Sequence, residues 1–305
     1  MTGSAKLPNF LIIGVQKSGT TSIYNYLKQH PQVYMSSVKE TNFFARDPNK
    51  APSDRPLRHP NQKRIDTWEK YCELFVEVTD EIAIGEASPN YMVNYPVATA
   101  QIKRRIPDVK LIAILRNPCD RAYSDYLMHV RDAIGQPRSL LEQIEHKGKD
   151  SATLRKGFYG EHLTAFYQEF DPAQIRVFLY EDLRKDSAAM MQEIYQFIGV
   201  DATYQPDTSA RSQVAKLPKN QTFNTLINTR NPLRETTAKV LNSLLPAAAV
   251  QNLRDRLNTL NQSPAKIAPL NPQERQALIN FYRDDILKLQ ELINRDLSSW
   301  LDPSR

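Results

Sequence analysis

The segment that most constrains this chain is an apolar run near the N-terminus that breaks into a loop of small residues. Residues 10–13 read Phe-Leu-Ile-Ile, a run that is too short for an ordinary helix and is typical of a buried strand. Residues 14–22 form a loop rich in Gly, Ser and Thr, and an amphipathic segment of helical spacing follows up to His30. The order of strand, small-residue loop and helix predicts a phosphate-binding site.

The start of the predicted helix explains why a phosphate would bind there. The first backbone N–H groups of a helix have no partner inside it, and together they carry roughly half a positive charge that attracts anions. Gly14 and Gly19 allow the backbone to approach the anion closely. The loop residues that we expect to bind the phosphate are Lys17, Ser18, Gly19, Thr20, Thr21 and Ser22. The alternative is an ordinary glycine-rich turn that binds nothing.

The loop differs from a Walker A sequence in one informative position. Gly14 and Gly19 have the G-x-x-x-x-G spacing, but Thr20 stands where the P-loop lysine belongs. The lysine comes early instead, at Lys17. In nucleoside triphosphatases the late lysine reaches the β- and γ-phosphates, and the next hydroxyl binds magnesium. A P-loop kinase or another nucleoside triphosphatase is therefore an alternative, and it requires magnesium.

Composition limits the other classes of protein and site. No run of about 18 apolar residues exists, so we expect no transmembrane helix. The N-terminus lacks an apolar signal region, which predicts a cytoplasmic protein. The net charge of +6 suits anionic small molecules, and the absence of a long basic block with interleaved aromatic residues argues against nucleic acid. Cys72 and Cys119 are expected to be reduced, and the five scattered histidines predict no metal site.

Alternating strand and helix patterns predict the fold class. Further strands are expected over residues 32–35, 82–86, 109–115 and 175–180, with helical patterns between them. Several strands are continuous apolar runs, which indicates a parallel sheet covered by helices on both faces. The length of 305 residues fits one large α/β domain or two small domains, and the strand patterns give way to helical ones in the C-terminal portion, at about 201–305. Such sheets bind ligands at the carboxyl ends of their strands.

A second anion-binding candidate follows the strand predicted over residues 109–115. Arg116 ends this strand, and Ser124 lies two turns into the next helix, which Asn117 and Pro118 are suited to begin. Arginine offers a charged fork to a phosphate, and serine adds a donor. Arg116 also stands where a triphosphatase would need a magnesium-binding carboxylate, which counts against that class.

These segments together resemble sulfotransferases that use 3′-phosphoadenosine 5′-phosphosulfate (PAPS). Gly-x-x-Lys-Ser-Gly-Thr-Thr at residues 14–21 resembles their 5′-phosphosulfate loop, and residues 115–126 are similar to their 3′-phosphate segment. The Lys39-Glu40 turn, Glu-Ala-Ser-Pro at 86–89 and residues 179–183 extend the resemblance over about 8–200. The nearest branch includes heparan sulfate sulfotransferases and bacterial relatives. The resemblance implies a single α/β domain over residues 1–305 with a core at about 8–200, PAPS as co-substrate, no metal and a hydroxyl-bearing acceptor.

The resemblance also assigns roles to residues. Glu40 corresponds to the proposed general base, and Glu86 is the second choice. The histidine base of cytosolic small-molecule sulfotransferases has no counterpart near residue 86, and Ala87 replaces the lysine of heparan-type enzymes. Tyr180 is a candidate contact for the adenine. Members of the family also place a basic loop from later in the chain over the 3′-phosphate. The candidates for this loop are Arg211, Lys216 and Lys219.

The chemistry independently requires a donor and a base. Sulfuryl transfer needs in-line positioning and a donor aimed at the charge that develops on the leaving phosphate, a role that suits Lys17. The acceptor hydroxyl must lose its proton during attack, and Glu40 is our choice of base. The acceptor stays open among a carbohydrate, a glycolipid and a phenol, with an amine less favoured. A non-catalytic nucleotide-binding protein is the remaining alternative.

Overall fold

A parallel five-stranded sheet forms the centre of the computed structural model, which describes residues 6–47, 64–132, 138–209 and 269–304. The strands are β1 (Phe10–Gly14), β2 (Val33–Met35), β3 (Ala83–Ala87), β4 (Lys110–Leu115) and β5 (Ile175–Leu179). Their order is β2-β3-β1-β4-β5, and every neighbouring pair is parallel. The predicted parallel sheet is confirmed. The backbone of a short antiparallel pair, Leu217–Pro218 with Gln262–Ser263, is also described.

Helices flank the sheet as predicted. They are α1 (Thr20–Leu27), α2 (Trp68–Cys72), α3 (Asn90–Val93), α4 (Tyr95–Arg105), α5 (Pro118–Arg131), α6 (Leu140–Lys147), α7 (Ala152–Arg155), α8 (Tyr159–Glu169), α9 (Tyr180–Lys185), α10 (Ser187–Ile198) and α11 (Pro272–Ile293). The Asn117 side chain accepts hydrogen bonds from the backbone N–H groups of Cys119 and Asp120, and Pro118 is the first residue of α5, as expected. None of the helices in the described ranges is long and apolar enough to cross a membrane.

Side chains alternate between the two faces of the sheet and build two cores. Leu11 and Ile13 of β1 pack on one face, and Phe10 and Ile12 pack on the other; all four are fully buried. A strand that is buried on both faces must be apolar throughout, which is why residues 10–13 form a continuous run. The sheet therefore holds the loop after β1 in a fixed position between two packed layers.

The last helix packs on the first of these cores. The sequence predicts an apolar stripe on this helix formed by Leu278, Tyr282, Ile286, Leu289 and Ile293. The first four are buried and Ile293 is half-buried, as a stripe that packs on the core requires. Asn271 caps α11 by accepting a hydrogen bond from the backbone of Gln273, in place of the capping box expected with Glu274.

Some sequence predictions lie outside the described residues. The sequence favours a helix over 236–260 with a break at Pro246, and this segment lies outside the described residues together with the three basic candidates Arg211, Lys216 and Lys219. The extent of a single domain over 1–305 also stays a prediction. Each predicted strand differs from the observed one by a residue at one end or both: β1 ends at Gly14, β2 begins at Val33, β3 spans Ala83–Ala87 and β4 begins at Lys110. The last strand, β5, ends at Leu179, and Tyr180 begins α9.

Candidate active site

The loop after β1 reaches α1 through a glycine in the left-handed conformation. Gly19 precedes α1 with a φ of 87°, in the left-handed region that favours glycine. A Cβ atom at this position would lie 2.6 Å from the Cδ2 atom of Leu183 in α9. The loop therefore packs so closely against α9 that only glycine fits at residue 19.

The loop hydroxyls are not equivalent. Ser18 is fully buried, and its Oγ atom has no hydrogen-bond partner among the described residues. Thr20 is buried at the first position of α1, whereas Thr21 is exposed and accepts a hydrogen bond of 3.0 Å from the Lys39 ammonium. Since an unpaired buried hydroxyl is costly, Ser18 beside a helix N-terminus fits a site that is completed by a bound oxyanion.

Lys17 lies at the tip of the loop with a φ of 74° and is surrounded by charged residues. Burial is the main reason that the pKa of its ammonium is lowered. The positive charges of Arg131 and Arg116 lower this pKa further, while the carboxylates of Asp125 and Asp132 raise it. Lys17 is thus a partly desolvated cation, and its charge acts more strongly on a nearby anion than it would in water.

Arg116 connects the two predicted anion-binding segments. One of its guanidinium nitrogens donates a hydrogen bond of 3.2 Å to the backbone carbonyl of Lys17. The same guanidinium lies 4.9 Å from the ring centroid of Tyr180, a distance at which the ring face attracts a cation. Ser124 is half-buried in the second turn of α5. The structure therefore brings together Arg116, Tyr180 and the loop after β1, which the sequence had only placed at strand ends.

The predicted base lies beside the loop after β1. The Lys39 ammonium contacts both the Thr21 hydroxyl, at 3.0 Å, and the Glu40 carboxylate, at 3.2 Å. The side chain of Glu40 is 37% exposed, so a substrate has access to its carboxylate. The backbone N–H of Glu40 donates to the carbonyl of Ala87 at the end of β3, over 2.9 Å. One lysine therefore connects the predicted base to a predicted phosphate ligand.

Glu86, the second choice as base, has a different environment. It is fully buried, and its Oε1 atom accepts hydrogen bonds from the hydroxyls of Ser88, at 2.5 Å, and Thr41, at 3.2 Å. Burial raises the pKa of this carboxyl to about 7. A general base has to come within hydrogen-bond reach of the acceptor proton, so burial favours Glu40 over Glu86 for that role.

Sequence reasoning missed a buried ion cluster next to Lys17. Arg121 and Asp125, both with fully buried side chains, form an ion pair of 3.4 Å on α5, and Lys156 contacts the same carboxylate at 3.0 Å. Arg121 also donates to the backbone carbonyl of Thr153. The i,i+4 spacing of Arg121 and Asp125 was a usable signal, but nothing local in the sequence indicated that both were buried.

The described residues include no group of three or more His, Cys, Asp and Glu side chains arranged to hold a metal ion. Cys72 and Cys119 are free thiols. Burial raises the pKa of the Cys119 thiol to about 12, which makes it a poor nucleophile.

Comparison with known proteins identifies the family. The sulfotransferase family model matches residues 8–205. The chain belongs to the sulfotransferase family. A crystal structure of a sulfotransferase from Alicyclobacillus acidocaldarius is similar, with a TM-score of 0.69 and 26% identity over 97% of this chain and 100% of that chain.

Curated relatives of this sulfotransferase are longer proteins. The bifunctional heparan sulfate N-deacetylase/N-sulfotransferase 3 of Homo sapiens is 27% identical over 97% of this chain, which spans 31% of that protein. Heparan sulfate glucosamine 3-O-sulfotransferase 3B1 of Homo sapiens is 28% identical over 65% of this chain and 48% of its own length. The similarity thus covers a part of each relative, and the five-stranded sheet with its helices is the fold of the family.

Proposed function

We propose that this protein transfers a sulfuryl group from PAPS to an acceptor hydroxyl, with Glu40 as general base and Lys17 as donor to the leaving phosphate. The observation that carries the proposal is the Lys39 ammonium, which contacts Thr21 in the phosphate loop and the carboxylate of Glu40. Because the base lies one side chain from the phosphate loop, an acceptor that contacts Glu40 is held close to the sulfuryl group.

The residues of the loop and of the β4 end fit the donor. The backbone N–H groups at the start of α1, with Ser18, Thr20 and Thr21, bind the 5′-phosphate side. The buried Ser18 hydroxyl, which has no partner among the described residues, supports this role. Arg116, with Ser124, binds the 3′-phosphate. PAPS supplies the activated sulfuryl group, and Tyr180, whose ring faces the Arg116 guanidinium, supplies an aromatic face for the adenine.

Catalysis by these residues consists of positioning and electrostatics. The ammonium of Lys17 stabilises the negative charge that develops on the leaving phosphate, and its partial burial strengthens this effect. Glu40 accepts the proton of the acceptor hydroxyl as the oxygen attacks. Lys39 contacts Thr21 and Glu40 together, and so it fixes the distance between the base and the donor site.

A carbohydrate is the first acceptor class to test. The names of the curated relatives specify sulfation of heparan sulfate at nitrogen and at a 3-hydroxyl, so a sugar hydroxyl and a sugar amine are the two acceptor groups to compare. Glycolipids and phenols form the rest of the panel. We favour the hydroxyl, because a carboxylate base is needed to remove its proton during attack.

The experiment that tests the proposal measures release of adenosine 3′,5′-bisphosphate from PAPS in the presence of each acceptor. The wild-type protein is expected to release the bisphosphate with at least one acceptor class and without added magnesium. Donor binding without transfer to any acceptor would instead favour a non-catalytic nucleotide-binding protein. Strict dependence on magnesium and a preference for ATP would favour a kinase.

A further inference from the structure

The turn that carries Glu40 has an unusual backbone. Glu40 and Asn42 have φ values of 60° and 52°, in the left-handed region that side-chain-bearing residues seldom adopt. Two such residues within three positions are not maintained by local preference alone. Contacts from outside the turn must therefore keep it in this conformation.

Two side-chain hydroxyls supply acceptors to the backbone of this turn. The N–H of Asn42 donates to the Ser88 hydroxyl over 3.0 Å, and the N–H of Phe43 donates to the Thr41 hydroxyl over 3.2 Å. A serine or threonine hydroxyl has one proton and two lone pairs, and it rotates freely until a partner fixes it. Each hydroxyl accepts from the turn only while its own proton points elsewhere.

Glu86 is the group that fixes both hydroxyls. The single Oε1 atom of its buried carboxyl accepts from Ser88 at 2.5 Å and from Thr41 at 3.2 Å. With their protons directed at Glu86, both hydroxyls present lone pairs to the backbone of the turn. The Tyr91 hydroxyl, 3.2 Å from that of Thr41, closes the network on the side of α3. Among the described residues, Glu86 therefore accepts from both of the hydroxyls that accept from the backbone of Asn42 and Phe43.

We infer that Glu86 is a positioning residue: through Ser88 and Thr41, its buried carboxyl holds the turn over residues 40–42 in the left-handed conformation that presents Glu40 to the acceptor. This inference rests on the proposed function of Glu40 as general base. Glu86 itself is fully buried, so its carboxyl is not exposed to an acceptor. Its role requires an acceptor oxygen at this position, not a negative charge or a proton-accepting group.

The test compares Glu86→Met with Glu86→Gln. Methionine has a similar length but cannot accept from the two hydroxyls, whereas the glutamine oxygen still accepts from both. We expect Glu86→Met to lower kcat by about 10- to 100-fold, the range that small misplacements of a reacting group produce. Glu86→Gln is expected to keep kcat within about 3-fold of the wild-type value. The donor KM is expected to stay unchanged in both variants, since Lys17 and Arg116 are untouched. Equal, severe losses in both variants would overturn the inference and indicate that Glu86 is the base.

A double-mutant cycle with Glu40→Gln tests whether Glu86 acts through Glu40. If it does, Glu86→Met causes little further loss of kcat in a chain that already carries Glu40→Gln, because coupled residues are not additive. A full, additive loss would contradict the inference. Asp285→Leu is the control, since Asp285 is a half-buried carboxylate that accepts from the backbone of Gly160 and Glu161 at α8, away from the Glu40 turn. It is expected to lower stability and leave kcat unchanged.

Hydrogen exchange gives a readout that is independent of sulfuryl transfer. The amide protons of Glu40 and Asn42, both hydrogen-bonded in the turn, are expected to exchange at least about 10-fold faster in Glu86→Met and in the milder Ser88→Ala. If exchange is faster in these variants but the wild-type protein transfers no sulfuryl group, the positioning of the turn by Glu86 is established and only the proposed function is refuted. Unchanged exchange in both variants would refute the positioning role itself.

Discussion

Replacement of Lys17 by alanine tests the electrostatic part of the mechanism most sharply. The backbone of Lys17 lies in the left-handed region with a φ of 74°, and alanine retains the Cβ atom, so the backbone strain is the same in both proteins. The hydrogen bond from Arg116 ends on the backbone carbonyl of residue 17, and it is therefore preserved. The substitution removes the ammonium and the methylene groups and leaves the loop conformation in place.

The expected loss follows from the position of this ammonium. Loss of one preorganised donor to a developing oxyanion lowers kcat by about 10²–10³, or about 3–4 kcal/mol in activation free energy. Lys17 is partly desolvated, so we expect the loss of kcat to fall within this range, which applies to donors in water-excluded sites. The affinity for PAPS is expected to fall less than kcat, because Arg116 and the N-terminus of α1 still bind the phosphates. An interaction that is stronger in the transition state lowers kcat in preference to binding.

The assay is steady-state release of adenosine 3′,5′-bisphosphate from PAPS at saturating acceptor, with kcat and KM determined separately. Lys28→Ala is the charge-matched control, since Lys28 is an exposed lysine at the opposite end of α1. The control is expected to have wild-type kinetics. A Lys17→Ala variant with nearly wild-type kcat would refute the role of Lys17 as donor to the leaving phosphate.

Three further predictions concern other residues. Glu40→Gln is expected to lower kcat by about 10²–10⁴, the range for loss of a general base, while the donor dissociation constant measured by calorimetry stays unchanged. A variant with wild-type kcat would refute the assignment of Glu40 as the base. Arg116→Ala is expected to weaken bisphosphate binding by about 10- to 100-fold, because it removes a charge-assisted contact, and unchanged affinity in a titration would contradict this. Burial lowers the pKa of His162 to about 4, below the value of about 6.5 in the unfolded chain. The unfolded state therefore binds the proton first as the pH falls, so stability is lost between about pH 6.5 and pH 4. His162→Gln is expected to remove about 2–3 kcal/mol of the difference in unfolding free energy between pH 7.5 and 4.5, and equal pH dependence of both proteins in urea denaturation would refute the argument.

Most of the fold could be predicted because its determinants are local. Continuous apolar runs identified the strands that are buried on both faces, and Asn117 with Pro118 marked the start of α5. Asp186 and Gly199 similarly mark the two ends of α10, since Asp186 caps its start and Gly199 ends it in the left-handed conformation. The end of β5 was missed by one residue, since Tyr180 suits a strand end and a helix start equally well by composition alone.

The contacts within the site depended on strand order, which the sequence does not contain. β3 lies between β2 and β1, and this arrangement brings the Lys39–Glu40 turn against the end of β3 and the phosphate loop. Lys39 and Thr21 are 18 residues apart, and no local pattern pairs them. The burial of Glu86 was equally hidden, because a glutamate at a strand end is indistinguishable in sequence from a solvated one.

Calorimetric titration of the wild-type protein with adenosine 3′,5′-bisphosphate, and separately with ATP plus magnesium, tests the central claim most directly. The claim is that the loop after β1 and Arg116 form one site for a nucleotide with a phosphate on each side of its ribose. It predicts tight binding of the bisphosphate with one site per chain, unaffected by a metal chelator. Absence of bisphosphate binding, together with magnesium-dependent binding of ATP, would contradict it.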